Sequence, residues 1–364
     1  MPSIQAEGIT KRFGRITALE EVNLTIQDGE YVTILGPSGC GKTTLIKIIA
    51  GIWPPSSGHV LVDGFDMTSA RLEERDLGYV FQNIMLFPNM NVKDNAGYSP
   101  RVKGQDKEKI EKESREALEL VGMLQQRGFF PNELSGGAQQ KASLARALAS
   151  KAKLLLLDEP LSALDARVRV ELRYELRRLV KSLGLTAIHV THDQEEAMSV
   201  ADRVVIMRKG RVVEVGEPRQ LYDRPGSLFT ANFVGQSNFL EGTVRSLDDN
   251  TAKVEVRGEQ YLTVNGSDVP PGSPVVLAVR PERLSLRPGP EANSIRARLQ
   301  ESRFMGSFIR HNLNLENGDE VLVDLLVGDP NPRPGVELSV YFNPDYLRVY
   351  PRPREGLSEA LRLE

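Results

Sequence analysis

Apolar runs with little polar alternation punctuate the first two thirds of the chain: Tyr31-Val-Thr-Ile-Leu35, Leu77-Gly-Tyr-Val-Phe81, Leu154-Leu-Leu-Leu157 and Thr186-Ala-Ile-His-Val190. Such runs predict strands covered on both faces, as in a parallel sheet. Ahead of them, Ile4 to Ile9 and Leu19 to Ile26 read as short alternating strands, with Asp28-Gly29 as the break before Tyr31. Phe13 falls in the intervening stretch Lys11 to Gly14, which reads as a loop. After Trp53 to Gly58, a turn, Val60 to Gly64 predicts a short strand and turn.

From Gln82 to about residue 150 the pattern turns helical. Lys107 to Leu124 places Ile110, Ala117, Leu118, Val121 and Leu124 on one face among charges, and Ala142 to Leu148 continues the helical spacing. This predicts a helical insertion, about 83–150, in an α/β domain. Arg167 to Ser182 is a further helix, and Val204 to Met207 with Arg211 to Val215 make a hairpin about Lys209-Gly210.

Near 222–238 the texture shifts. More than half of the prolines lie beyond residue 268, and β-branched segments follow one another between turn signals: Ala252 to Val256, Tyr261 to Val264, Val275 to Val279, Ser294 to Leu299, Phe308 to Leu315, Val321 to Leu326 and Leu338 to Phe342. That predicts a small all-β barrel, with the tail Arg352 to Glu364 loosely ordered. The expected organisation is an α/β domain over 1–236 and a β domain over 237–364, two domains being the ordinary outcome for 364 residues.

Composition narrows the function classes. A net charge of −3 offers no electrostatic footprint for nucleic acid. The single cysteine, Cys40, excludes an internal disulfide and points to a reducing compartment. The first residues lack the basic-then-apolar order of a secretory signal, and no run is long enough to cross a bilayer, so membrane work would need a partner.

The chemistry centres on Gly36-Pro37-Ser38-Gly39-Cys40-Gly41-Lys42-Thr43-Thr44, between a strand and the helical run Leu45 to Ala50. In that setting the pattern is a P-loop. Glycines let backbone N–H groups curl around the α- and β-phosphates, the helix end adds positive potential, Lys42 reaches the β/γ-phosphates, and the Thr43 hydroxyl can hold Mg²⁺. Cys40 inside this loop is read as a small tolerated side chain, with redox gating as the alternative. Leu154 to Leu157 ends in Asp158-Glu159. Two acids at the carboxyl end of a central strand are costly unless used, so Asp158 is the expected Mg²⁺ partner and Glu159 the expected base for an attacking water. His192, at the end of another buried strand, reads as a γ-phosphate contact, because His189 and His192 lack the companions of a metal site. Ser135-Gly136-Gly137 at a helix start is either an anion cradle or an ordinary serine cap. Phe13 is either a packing residue or an adenine-stacking one.

As an ordered set these residues resemble the ATP-binding-cassette ATPases over residues 3 to about 235: the P-loop, Gln82, Leu134-Ser-Gly-Gly137, Leu154 to Glu159, Ser162-Ala-Leu-Asp165 and His192. The resemblance implies an α/β P-loop NTPase with a RecA-like core, helical subdomain and antiparallel β part. It implies that Phe13 stacks on adenine, and that Gln82 touches Mg²⁺ and the attacking water and relays to membrane subunits. Ser135, Gly136 and Gly137 would close over the γ-phosphate of ATP held by the other copy, with Asp165 in the loop crossing the dimer. The remainder looks like importer ATPases with a C-terminal oligonucleotide-binding-type (TOBE) β domain, on Arg280-Pro281-Glu282 and Phe304 to Ser307. The stretch Phe233 to Val244 looks more like the polyamine, iron and anion group than the maltose group. Ala138 and Lys141 depart from the family's usual Gln and Arg, which implies a weaker clamp on the partner's nucleotide.

The implied activity is hydrolysis of ATP with Mg²⁺ by a homodimer on the cytoplasmic side of the cell membrane. The implied partners are two membrane-spanning permease subunits and an extracytoplasmic solute-binding protein, with no nucleic acid. The β domain would bind a regulatory protein or solute, or only stabilise the dimer. Alternatives are a sugar or glycerol-phosphate importer ATPase, an exporter subunit, a non-hydrolysing ATP sensor or a soluble non-transport ATPase.

Overall fold

The computed structural model describes residues 3–249, 251–256, 260–289, 293–316, 318–329 and 332–363. Packing divides the chain into two compact units, residues up to Pro218 and Arg219–Leu363.

In the first unit the strands are β1 (Ile4–Phe13), β2 (Ile16–Ile26), β3 (Tyr31–Leu35), β4 (Ser57–Val62), β5 (Phe65–Asp66), β6 (Leu77–Val80), β7 (Leu154–Asp158), β8 (Thr186–Thr191), β9 (Arg203–Arg208) and β10 (Arg211–Gly216). The helices are α1 (Lys42–Ile49), α2 (Val92–Ala96), α3 (Tyr98–Val102), α4 (Lys107–Leu120), α5 (Gly136–Leu148), α6 (Ala166–Ser182) and α7 (Gln194–Val200). One sheet is antiparallel in the order β2-β1-β4-β5. The other runs β10-β9-β3-β8-β7-β6 and is parallel except for β10. Parallel pairing leaves the carboxyl ends of β3, β8, β7 and β6 side by side on one edge.

The unbroken apolar character of β7 has a direct cause. Leu154 and Leu156 pack into a core with Leu45 of α1, while Leu155 and Leu157 pack into a second core with Ala142 of α5 and Leu176 of α6. Each buried leucine contributes roughly 1.5–3 kcal/mol, so neither face tolerates a polar residue.

Two details differ from the sequence reading. The strand β1 extends to Phe13, because Phe13 pairs with Ile16 across a tight hairpin, so Phe13 ends a strand rather than lying in a loop. The helix α4 stops at Leu120 rather than Leu124, because Gly122 takes a left-handed φ of 70° and turns the chain.

The second unit carries α8 (Pro218–Asp223), which starts at the division, and α9 (Leu228–Phe233). Its strands are β11 (Asn238–Asp248), β12 (Thr251–Val256), β13 (Gln260–Asn265), β14 (Pro274–Val279), β15 (Leu284–Ser285), β16 (Asn293–Phe304), β17 (Phe308–Leu315), β18 (Glu320–Leu326), β19 (Glu337–Phe342) and β20 (Arg348–Pro351), followed by α10 (Leu357–Leu361). Two antiparallel sheets, β13-β12-β11-β14-β20 and β15-β19-β16-β17-β18, share one core that includes Leu240, Leu262, Leu277, Leu313 and Phe342. Side-chain amides join them. Asn238 of β11 donates to Leu322 O (2.8 Å) and accepts from Leu322 N (2.7 Å), and Asn293 of β16 makes the same paired bonds with Thr263 of β13, both at 2.8 Å. The result is the nearly closed, antiparallel barrel of the oligonucleotide-binding type.

The tail is more ordered than the sequence predicts. Ala360 of α10 is buried in a small core with Leu228 and Ala231 of α9; Glu364 lies outside the described residues. Arg280 explains the Arg-Pro-Glu run. Its buried guanidinium donates to Ala231 O (2.7 Å), Gly235 O (2.6 Å), Ser237 Oγ (2.8 Å) and Tyr222 O (3.1 Å), and stacks over the Tyr222 ring at 4.3 Å. Residues 222–237 are thereby fastened to the β strands.

Candidate active site

The P-loop lies where β3 meets α1. Gly41 has φ of 106°, and a Cβ there would lie 2.7 Å from Ala18 O; at Gly36 it would meet Met207 O at 2.4 Å. Only glycine fits at these two positions, so the loop's backbone is free to face a phosphate. Lys42 is buried, its Nζ donating to Gly36 O (2.7 Å) and Pro37 O (2.9 Å). Cys40 is also buried, and burial pushes its thiol pKa up, which disfavours the thiolate.

At the end of β7, Asp158 accepts from the Thr43 hydroxyl (3.1 Å) and the Tyr79 hydroxyl (3.1 Å). Burial raises its carboxyl pKa against the pull of those two donors, and burial and Asp158 together raise that of Tyr79. Sequence reasoning missed Tyr79. A tyrosine within an apolar strand run needs a partner for its hydroxyl, and that was the available signal. A hydroxyl beside a carboxylate is a hard-oxygen set suited to Mg²⁺, which takes further oxygens from phosphate and water.

Glu159 adopts a left-handed φ of 46° and turns its carboxylate toward the neighbouring strand ends. Its Oε2 accepts from Gln82 Nε2 beyond β6 (3.0 Å) and from His192 Nδ1 beyond β8 (3.2 Å). The carboxylate acceptor fixes the His192 tautomer with its proton on Nδ1 and leaves Nε2 for another contact. Three expected residues, widely separated in sequence, therefore meet at one oxygen atom.

Phe13 is half exposed. Its ring meets Trp53 edge-on at 5.3 Å, and Trp53 lies under Lys47 of α1 at 4.6 Å. The ring is held near the P-loop helix with Lys11 Nζ over it at 5.1 Å, and Trp53 is a support the sequence did not flag.

Ser135, Gly136, Gly137 and Asp165 form a second cluster. Ser135 caps α5 by accepting from Ala138 N (3.4 Å), and Asp165 caps α6 by accepting from Val168 N (3.0 Å). The two helix starts touch: a Cβ on Gly137 would lie 2.8 Å from Val168 Cγ1. Among the described residues, the hydrogen bonds of the Ser135 and Asp165 side chains stay within their own helix starts. Lys141 forms an ion pair with Glu175 of α6 at 2.8 Å.

Comparison with known proteins places these motifs. Residues 19–162 match the ABC transporter family model and residues 277–349 the TOBE domain model. The chain is 40% identical to the spermidine/putrescine import ATP-binding protein PotA of Pseudomonas aeruginosa over 92% of each chain. It is 40% identical to the Fe(3+) ions import ATP-binding protein FbpC of Brucella abortus, covering 91% of this chain and 93% of that one. It is 42% identical to the sulfate/thiosulfate import ATP-binding protein CysA 2 of Chromobacterium violaceum, covering 96% and 95%. Among solved structures, the dimeric post-hydrolysis state of the ATP-binding cassette MJ0796 bound to ADP and Pi is similar, with a TM-score of 0.54 and 32% identity over 59% of this chain and 99% of that one. The chain belongs to the ABC transporter family, as an ATP-hydrolysing subunit that carries a TOBE domain.

Proposed function

We propose that this chain is the ATPase of an importer, closing as a homodimer on two MgATP to drive uptake of a small solute through two membrane-spanning permease subunits. The observation that carries the reading is the meeting of Gln82, Glu159 and His192 at one carboxylate oxygen beside the P-loop. Backbone N–H groups of Gly36 to Thr44 hold the phosphates, and Lys42 exchanges Gly36 O and Pro37 O for phosphate oxygens. Thr43, Asp158 and Gln82 would hold Mg²⁺, which would supply positive charge against the phosphates. Glu159 takes the proton of the attacking water while Gln82 and His192 fix its orientation, and His192 also contacts the γ-phosphate. Phe13 stacks on adenine. Ser135, Gly136 and Gly137 of the second copy close over the γ-phosphate, and Asp165 lies in the loop between the copies.

An apolar groove of about 580 Å³ beside Gln82, lined by Leu77, Tyr79, Phe81, Met85, Leu86 and Phe87, suits an apolar helix of a permease. No described helix is long and apolar enough to cross a membrane. On this reading the chain sits at the cytoplasmic face, and an extracytoplasmic binding protein delivers the solute. The similar proteins serve a polyamine, ferric iron and sulfate, which makes these the solute classes to try first. The cassette, 1–236, does the chemistry, and the β domain, 237–364, regulates or stabilises the dimer.

The test joins two measurements. Purified chain should release phosphate from MgATP and should co-purify with two polytopic membrane proteins. Recovery with ribosomes or DNA instead, or no phosphate release even beside its permease partners, would reject the reading.

A further inference from the structure

We infer that Arg169 is a positioning residue that ties the loop after Glu159 to the loop after His192, and so sets how the two face each other. The inference rests on the ATPase reading above.

Arg169 stands one turn into α6, behind the Asp165 cap. Its Nη2 donates to Leu164 O (2.9 Å) and Ser162 O (3.5 Å), and its Nη1 lies 3.7 Å from Asp193 Oδ2. The contacts to Ser162 and Asp193 each lead to a member of the site. Ser162 returns to Glu159, its Oγ donating to Glu159 O at 3.0 Å and its N–H to the same oxygen at 3.2 Å. Asp193 follows His192 and is itself fixed: its N–H donates to Thr191 Oγ1 (3.0 Å), and its Oδ1 accepts from Glu196 N (3.0 Å), capping α7.

Arg173 lies four residues on, on the same face of α6. It is buried and reaches the same Asp193 oxygen at 3.5 Å and Glu195 Oε1 at 3.5 Å. One carboxylate thus faces two guanidiniums from below while holding a helix start above. Arg173 touches only the His192 side, whereas Arg169 touches both sides, and neither reaches Glu159 or His192 itself. The carbonyls that Arg169 holds belong to Ser162 to Asp165, the run proposed to face the second copy. A shift of that run on dimer closure is therefore passed by one planar guanidinium to the residue next to His192.

The test uses the full chain and steady-state ATP hydrolysis. Arg169→Ala should lower kcat, on the order of 10²-fold, with the KM for ATP unchanged, because a small misplacement of reacting groups suffices for such a loss. Arg169→Lys should restore only part of the rate, since an ammonium cannot bridge two directions as a planar fork does. The double variant Arg169→Ala/His192→Ala should be no slower than His192→Ala alone, because both changes remove the same positioned histidine. Asp193→Asn keeps the helix cap and removes the charge, and should reproduce the kcat loss without unfolding the chain. A wild-type rate in Arg169→Ala, or losses that multiply in the double variant, would overturn the inference while leaving the ATPase reading intact. A wild-type chain without ATPase activity would sink both.

Discussion

His192 Nδ1 lies 3.2 Å from Glu159 Oε2, so a side chain beyond β8 holds one beyond β7 in place. Replacing Glu159 by Gln keeps the shape and removes the proton acceptor. Phosphate release should fall by on the order of 10²–10⁴ while ATP binding is retained, as read by single-turnover hydrolysis beside equilibrium nucleotide binding. Full turnover in Glu159→Gln would exclude Glu159 as the base.

Gly137 faces Val168 across the starts of α5 and α6, with 2.8 Å left for any added Cβ. Gly137→Ala should cost about 1–3 kcal/mol by overpacking, and Val168→Ala in the same chain should recover most of it. Thermal denaturation of the two single variants and the double variant measures this. Additive losses would mean that the two residues do not compete for the same space.

Arg280 gathers Tyr222, Ala231, Gly235 and Ser237 around one buried cation. Arg280→Ala leaves several carbonyls without a donor and should lower the stability of the second unit by about 3 kcal/mol, read by denaturant unfolding. Phosphate release from the first unit at low temperature should be little changed.

Burial raises the carboxyl pKa of Asp158, so its proton stays on to higher pH than on an exposed aspartate. The sign is then fixed. Above the raised value Asp158 is a carboxylate and able to hold a cation; below it the neutral acid is favoured, and the fold without nucleotide is relatively stabilised. Mg²⁺-dependent ATP binding should weaken as the pH falls from neutral toward that value, and this part of the dependence should vanish in Asp158→Asn. An unchanged pH profile in the variant would assign the dependence to another group.

Much of the site is legible in the sequence because parallel strands are buried on both faces. Leu154 to Leu157 and Thr186 to Val190 stand out as apolar runs, and the polar residues just after them, Asp158, Glu159 and His192, fall on one edge of the sheet. What escapes are the supports. Tyr79 hides within such a run and shows its purpose only through the 3.1 Å bond to Asp158. Trp53 sits in a proline-rich turn that gives no hint of the Phe13 contact. Arg169 looks like one more charge on an amphipathic helix until Asp193 is placed beside it. In the β unit, β11 was missed because Glu241, Thr243 and Arg245 interrupt its apolar positions, and the order of residues 222–237 depends on Arg280, far along the chain.

The positive φ of Glu159 also bears on how this protein would respond to selection for heat resistance. A non-glycine residue in that conformation costs of order 1–3 kcal/mol, which a glycine would relieve at the same place. Breeding the chain for survival at high temperature, with no check on turnover, would therefore favour losing the very carboxylate around which Gln82 and His192 are arranged. Durability and catalysis pull in opposite directions at this one backbone position, so a hardened variant needs its gains made elsewhere in the fold.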